Sequence, residues 1–514
     1  MQLHDVVEAS RAVGATRSRK AKVAALAEAL RAAGPEDVET AAAYLSGVLR
    51  QRRTGLGWRS LGGLPDPAPQ PVLTVAEVHD TFERISTVSG AGSKHARADL
   101  VTDLFSKATA DEQDFLRRLA TGELRQGALD GLMLEAIASA ADVPASAVRR
   151  ASMMSGATLP VAAAALTGGV DALAQFGLEP GRPLRPMLAS SAPDLAAALA
   201  RPLEEGVEVA VDGKLDGIRI QVHRYDGRVR VFTRTLEEIT DRLPEVVEAV
   251  TALPASSVVL DGEAIALDEA GRPRPFQETA ARTASRLGVE ELRAQVPLTS
   301  YFFDLLHLDG EDLVDAPAAD RFDRLAALVP EPLMVPRIVT ADADAAAAFF
   351  SATVADGHEG VVVKGLDAPY EAGRRGASWV KVKPRHTLDL VVLAVEWGSG
   401  RRNGWLSNIH LGARDPVTGE FVMLGKTFKG MTDEMLVWQT ERFLELETSR
   451  AGHVVHVRPE QVVEVAFDGI QTSSRYPAGM ALRFARVLRY RDDKAAAEAD
   501  TVDLVRSLHT PAQA

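Results

Sequence analysis

From residue 1 to about 178, apolar side chains recur every three to four positions. Segments 20–33, 111–120 and 128–141 are rich in alanine and leucine at this spacing and are separated by Gly, Pro and Asp, which predicts a succession of amphipathic helices. The stretch from Gly62 to Gln70, dense in glycine and proline, predicts a loop between helices. Much later, Arg182-Pro183-Leu184-Arg185-Pro186-Met187-Leu188 holds two prolines in seven residues. Proline disfavours the helical region for the residue before it, so this segment predicts an extended linker and a domain boundary.

Beyond the linker the period falls to two. Val207 to Val211, Arg219 to His223, Val229 to Thr233, Val258 to Leu260 with Ala264 to Leu267, Tyr301 to Leu305, Gly360 to Lys364 and Trp379 to Lys383 predict strands. Helical segments at 241–252, 318–328 and 342–354 interleave with them, so a mixed, largely antiparallel α+β domain is expected. After Thr387, short runs at 389–396, 408–413, 420–427, 461–466 and 483–490 suit a small β-barrel. The expected organisation is therefore a helical domain over 1–180, an α+β domain over 181–386 and a barrel over 387–514. A prior of roughly 100–200 residues per domain also gives about three.

Composition narrows the chemistry. The chain has no cysteine, which excludes disulfides, thiolate nucleophiles and cysteine-ligated zinc. It shows no secretion-signal core and no uncharged apolar run of about 18 residues, so neither export nor a membrane span is expected and a cytoplasmic protein is the default. A formal charge of −13 argues against a protein that simply coats nucleic acid. Residues 1–60 nevertheless carry ten basic against six acidic side chains, and a local basic patch can act on an acidic protein. Lysine is scarce, eleven against forty-seven arginines. Five of the seven lysines after residue 200 (Lys214, Lys364, Lys381, Lys383 and Lys494) fall in short motifs suited to phosphate chemistry. Because lysine, unlike arginine, can shed its proton, this usage points to chemistry at an amine.

Lys214-Leu215-Asp216-Gly217 lies between two predicted strands and is a weak signal alone. The ordered series that follows is specific. It comprises Arg219, Arg234 within Thr233-Arg234-Thr235, Glu263 closing Leu260-Asp261-Gly262-Glu263, Phe303 before Asp304, and Glu359-Gly360-Val361-Val362-Val363-Lys364. Trp379-Val380-Lys381-Val382-Lys383 comes next, and a last segment runs from Arg483 to Lys494. Taken singly, Phe303 reads as core, Glu263 as a turn residue, and Lys381 with Lys383 as a solvated strand face. Their joint order reverses each of these readings. The eleven histidines show no metal-ligand spacing.

This series resembles the covalent nucleotidyltransferase superfamily, and within it the ATP-dependent DNA ligases. The helical third is similar to the family's DNA-binding domain, notably Phe115-Leu116-Arg117-Arg118-Leu119 with Gly122-Glu123-Leu124-Arg125-Gln126-Gly127. The resemblance implies an adenylation domain and then an OB-fold barrel, with ATP and Mg2+ (or Mn2+) as cofactors. It implies a single chain encircling nicked double-stranded DNA, in replication, repair or recombination. Lys214 would attack the α-phosphorus of ATP as a neutral amine, a form favoured by nearby Lys381, Lys383 and a divalent metal. The AMP would pass to the 5′-phosphate at the nick, and the 3′-hydroxyl would then displace it. Glu359 and Glu263 would hold the metal, Phe303 would stack on adenine and Asp212 would lie near the base edge. Arg219, Arg234 and Arg375 would contact the nucleotide. Arg483, Arg491, Asp493 and Lys494 would orient pyrophosphate from a mobile barrel. Three positions depart from the family pattern: Thr233 for serine, Asp212 for a longer carboxylate and Ala485 for proline.

Alternatives remain at this point. An RNA ligase or a capping guanylyltransferase would keep the first step and change the acceptor, and a silent nick-binding clamp would keep the domains without the chemistry. A zinc-dependent NAD ligase is disfavoured by the missing cysteines. The Arg and Ala bias adds the expectation of a GC-rich bacterial source and a nucleoid-associated protein.

Overall fold

A computed structural model gives the fold and describes residues 1–51, 53–124, 130–371, 375–384 and 386–509, with the side chains of 375–377 outside that description. The expected helices at 20–33 and 111–120 form as Arg19–Ala32 and Ala110–Thr121, and the third forms as Asp130–Ala141. Local sequence sets the ends of Ala110–Thr121. The Thr109 hydroxyl accepts from the Glu112 N–H at the start, and Gly122 turns left-handed at φ +70° to stop it. Helices from Leu3–Ala15 to Leu159–Ala174 share one apolar core extending from Leu3 to Leu173.

Two five-stranded sheets build the middle of the chain. The first is ordered Leu188–Ser191, Arg375–Val382, Gly360–Gly365, Val209–Lys214 and Arg337–Thr340, antiparallel except for its first pair. The second is ordered Arg228–Thr233, Ile218–Tyr225, Val258–Ala266, Leu298–Leu308 and Glu311–Asp312, antiparallel throughout. Lys214 ends a strand of the first sheet and Ile218 begins a strand of the second. Lys214-Leu215-Asp216-Gly217 is thus the crossover between sheets. Gly217 is required there by close approach, because a Cβ would fall 2.4 Å from the Ala264 carbonyl oxygen.

The C-terminal region is a seven-stranded antiparallel sheet with its own apolar core. The helix Asp433–Glu445 packs on the strand Leu406–Arg414, and the strand pattern alone did not predict it. The single strand expected at 483–490 is divided. Met480–Arg483 pairs with Gly469–Thr472 as a separate two-stranded ribbon, and Arg486–Tyr490 joins the barrel. Between them Phe484 adopts φ +54°, a strained conformation for a bulky residue that turns the chain from one sheet to the other.

The proline-containing linker is not a free tether. Leu184 and Met187 are buried with Met153, Met154, Leu178, Leu306, Tyr370 and Trp379 in a cluster joining the helical region to the sheets. Arg150 pairs with Asp315 at 2.5 Å across the same junction. Among the described residues no helix is long and apolar enough to cross a membrane.

Candidate active site

The two sheets and the ribbon enclose a cavity of about 650 Å³, within the range of small-molecule sites. Lys214, Asp212, Arg219, Arg234, Glu263, Phe303, Glu359, Lys381 and Arg483 all line it. The Lys214 amine contacts Glu359, whose other oxygen accepts from Lys383 Nζ at 2.7 Å. Burial pushes the Glu359 carboxyl up, but Lys214 and Lys383 outweigh it and hold it below the usual carboxylate range. Lys383 also lies 3.1 Å from Asp468 of the barrel. Burial disfavours its charge, yet Glu359 and then Asp468 keep its pKa above the ordinary lysine value. On the other side of the crossover, the Gly217 N–H donates to Glu263 Oε1 at 2.9 Å. Glu263 opens onto the cavity but is ringed by protein, and burial pushes its carboxyl up to about 7 against the pull of Lys214.

The far wall is aromatic. Phe303 and Trp379 meet edge to face at 5.9 Å, and the Arg219 guanidinium lies 5.4 Å from the Phe303 ring centre. Arg219 forks onto Asp261 at 3.0 and 2.6 Å and donates to the Met187 carbonyl at 2.7 Å, so it is fixed by protein as it faces the cavity. Asp212 is buried between Arg337, at 2.5 and 2.8 Å, and Lys364, at 2.6 Å. Burial opposes its ionisation, but Lys364 and Arg337 hold its carboxyl low. The Lys364 ammonium stands 4.1 Å from the Trp379 ring centre, and burial lowers its pKa against the pull of Asp212. Among the described residues, exposed Arg234 has no side-chain hydrogen bond or ion pair, which leaves its charge available to a ligand.

The barrel contributes Arg483 and Phe484 to the cavity. Arg483 donates to Asp216 Oδ2 at 2.8 Å and lies 5.6 Å from the Phe276 ring. Arg491, Asp493 and Lys494 are not brought to the cavity in this arrangement. Arg491 and Lys494 pair with Asp389 at 3.0 and 2.6 Å, and Arg491 also pairs with Asp493 at 2.7 Å. The Arg375 side chain lies outside the described residues, as do Arg125, Gln126 and Gly127 of the helical motif. The sequence reading assigned no role to Asp216, Lys364 and Trp379 within the motifs or to Phe276 outside them, all of which line the cavity, nor to Arg337, which braces Asp212 from behind, and Asp468, which reaches Lys383 from the barrel outside the cavity. Trp379, one of five tryptophans, carried a signal through rarity. Arg337 carried none among forty-seven arginines.

Glu263 and Glu359 offer hard oxygen donors on one cavity. Among the described residues no group of three or more His, Cys, Asp or Glu could hold a metal ion. Such a pair suits magnesium, which commonly binds one or two carboxylates together with substrate phosphates, and does not suit an all-protein cage.

Comparison with known proteins agrees with this architecture. Residues 63–138 match the family described as DNA ligase N terminus, 186–383 the ATP dependent DNA ligase domain, and 402–494 the ATP dependent DNA ligase C terminal region. A probable DNA ligase of Nocardioides sp. is 68% identical over 508 residues, 98% of each chain. One of Beutenbergia cavernae is 64% identical over 513 residues, 99% of each chain. A solved structure named Pmar-Lig_PreS3, 18% identical, shares the fold with a TM-score of 0.61 over 95% of this chain and 99% of its own. Matched in all three regions and along nearly its whole length, the chain belongs to the ATP-dependent DNA ligase family.

Proposed function

We propose that the protein seals nicks in duplex DNA through a lysyl-AMP intermediate on Lys214. The observation that carries this reading is the Lys214 amine at the crossover of two sheets, in contact with Glu359 inside a nucleotide-sized cavity. Lys214 sheds its proton to solvent, a loss that the charges of Lys381, Lys383 and a divalent metal would favour, and the freed lone pair attacks the α-phosphorus of ATP. A P–N bond forms and the bond to pyrophosphate breaks. A 5′-phosphate oxygen at the nick then displaces the lysine, giving a 5′-adenylated DNA. The 3′-hydroxyl attacks that activated phosphate, forming the phosphodiester and releasing AMP.

Phe303 stacks on adenine, with Asp212 near the base edge. Arg219, Arg234, Arg375, Lys381 and Lys383 contact the nucleotide. Glu263 and Glu359 would hold a divalent metal, Mg2+ or Mn2+, which when bound neutralises phosphate charge. Arg483, Arg491, Asp493 and Lys494 orient pyrophosphate in the first step, for which the barrel must turn the last three toward the cavity. A single chain encircles the duplex, and the protein acts in the cytoplasm, at the bacterial nucleoid. Support for this setting comes from relatives in Nocardioides and Beutenbergia.

The test is mass spectrometry of the protein incubated with ATP or GTP and magnesium, alongside a nick-sealing gel. The wild type should gain AMP on the peptide containing Lys214, and Lys214→Ala should lose both the adduct and sealing from ATP while keeping its fold. An adduct persisting in the variant would place the nucleophile elsewhere, and labelling by GTP would favour a capping activity.

A further inference from the structure

The contacts between the barrel and the sheets converge on the ribbon and its base. Gly469–Thr472 and Met480–Arg483 belong to no barrel strand pair, and they project from the residue that follows the strand Val462–Phe467. That residue is Asp468. Its N–H donates to the Arg483 carbonyl at 3.0 Å, tying it to the far end of the ribbon. Farther along, Gln277 Nε2 donates to Gln471 Oε1 at 3.4 Å, and Arg483 reaches Asp216 at 2.8 Å. The ribbon therefore docks as one piece, and Asp468 moves with it.

The Asp468 carboxylate is divided between two cations. Oδ1 accepts from Arg486 of the barrel at 3.2 Å, and Oδ2 accepts from Lys383 of the sheets at 3.1 Å. The same Lys383 ammonium donates to Glu359 at 2.7 Å, and Glu359 contacts Lys214. A continuous chain of alternating charge thus leads from Arg486 through Asp468, Lys383 and Glu359 to the lysine at the crossover. Only the Asp468 to Lys383 contact in that chain crosses between the barrel and the sheets, so only it breaks when the ribbon departs.

We propose that Asp468 is a positioning residue that acts through Lys383: with the ribbon docked, its carboxylate holds the Lys383 ammonium against Glu359 for nick sealing. The assignment to sealing rests on the proposed function above. In the docked arrangement Arg483 and Phe484 reach the cavity while Arg491 and Lys494 are bound to Asp389 away from it. Since those last two residues serve the pyrophosphate-releasing step, the docked ribbon belongs to the steps after it. Asp468 is then in contact with Lys383 when DNA is sealed and out of contact when Lys214 is adenylated.

The experiment compares the full-length wild type, Asp468→Asn and Asp468→Glu in two assays. One follows the lysyl-AMP adduct from ATP and magnesium by intact mass. The other follows single-turnover sealing of a nick already carrying 5′-AMP, with ATP absent and the nick saturating. Asp468→Asn should form the adduct at the wild-type rate and seal about tenfold or more slowly, the scale of losing one charge-assisted hydrogen bond. Asp468→Glu should restore most of the sealing rate. Equal losses in both assays, unchanged sealing by Asp468→Asn, or no recovery with Asp468→Glu would each overturn the proposal. A wild type that forms no adduct would instead overturn the Lys214 mechanism, so the two failures are distinguishable.

Discussion

Single residues in the cavity are set by competition between burial and neighbouring charge, and Glu263 shows the balance most clearly. In the folded protein its carboxyl holds a proton up to about pH 7, because burial outweighs Lys214, whereas its ordinary value is 4.5. Between those values the folded state binds a proton that the unfolded chain has lost. Its contribution to stability is therefore full below about 4.5 and declines as pH rises through about 7. Glu263→Gln should flatten that part of a plot of unfolding midpoint against pH for the ligand-free protein, and a variant retaining the wild-type slope would contradict it. Glu263 could be singled out from the sequence as a candidate because it stands in an ordered series. Its protonation could not, since that depends on burial once the two sheets pack together, opposed by Lys214 arriving from the other sheet. Arg337 and Asp468 were illegible for a related reason: an arginine in a strand and an aspartate before Gly469 owe their importance only to Asp212 and Lys383.

At the scale of elements, the site depends on how closely strands approach. Gly360 follows Glu359 and opens the strand Gly360–Gly365, which pairs with Arg375–Val382, one residue short of Lys383. Its φ is +136°, and a Cβ there would fall 2.2 Å from the Val382 carbonyl oxygen and 3.0 Å from Lys383 Cα. Gly360→Ala should lower stability by at least about 1–3 kcal/mol from backbone strain, read by denaturant unfolding. It should also move Glu359 off Lys383 and slow sealing, and a variant matching wild type in both measurements would refute this. The alternation of apolar residues was enough to locate most strands of the middle region, since each has one face on a core. It did not reveal the ribbon, because the run 480–490 keeps a strand-like pattern while Phe484 switches the chain between two sheets. The helix Asp433–Glu445 was missed in a stretch read only for strands, although Leu436, Gln439 and Phe443 fall on one buried face.

For the whole molecule, the junctions matter as much as the domains. A boundary near 180 predicts that the parts would separate there, yet Met153 and Met154 are buried against Leu184, Met187, Leu306 and Tyr370. Each such side chain contributes about 1.5–3 kcal/mol on burial. A chain shortened to residues 178–514 should therefore unfold at lower denaturant than the full protein and bind a hydrophobic dye. Undiminished stability without dye binding would show that the helical region is only tethered. The barrel is joined differently, through polar contacts of a ribbon, Asp216 to Arg483 and Lys383 to Asp468. Polar contacts of this kind can be exchanged for water at small net cost, which suits the opening and closing proposed for this junction, whereas the apolar junction at Leu184 resists separation.

By itself the sequence determined the class of chemistry, the order of the candidate residues and the division into helical, mixed and barrel regions. Those follow from residue type and from the period of apolar positions, which are local properties. The tertiary structure alone decided which charges meet. It bound Glu359 between Lys214 and Lys383, turned Arg491 and Lys494 toward Asp389, and placed Asp468 of the barrel against a lysine of the sheets. Electrostatic interaction depends on distance and burial, and neither exists until residues far apart along the chain are folded together.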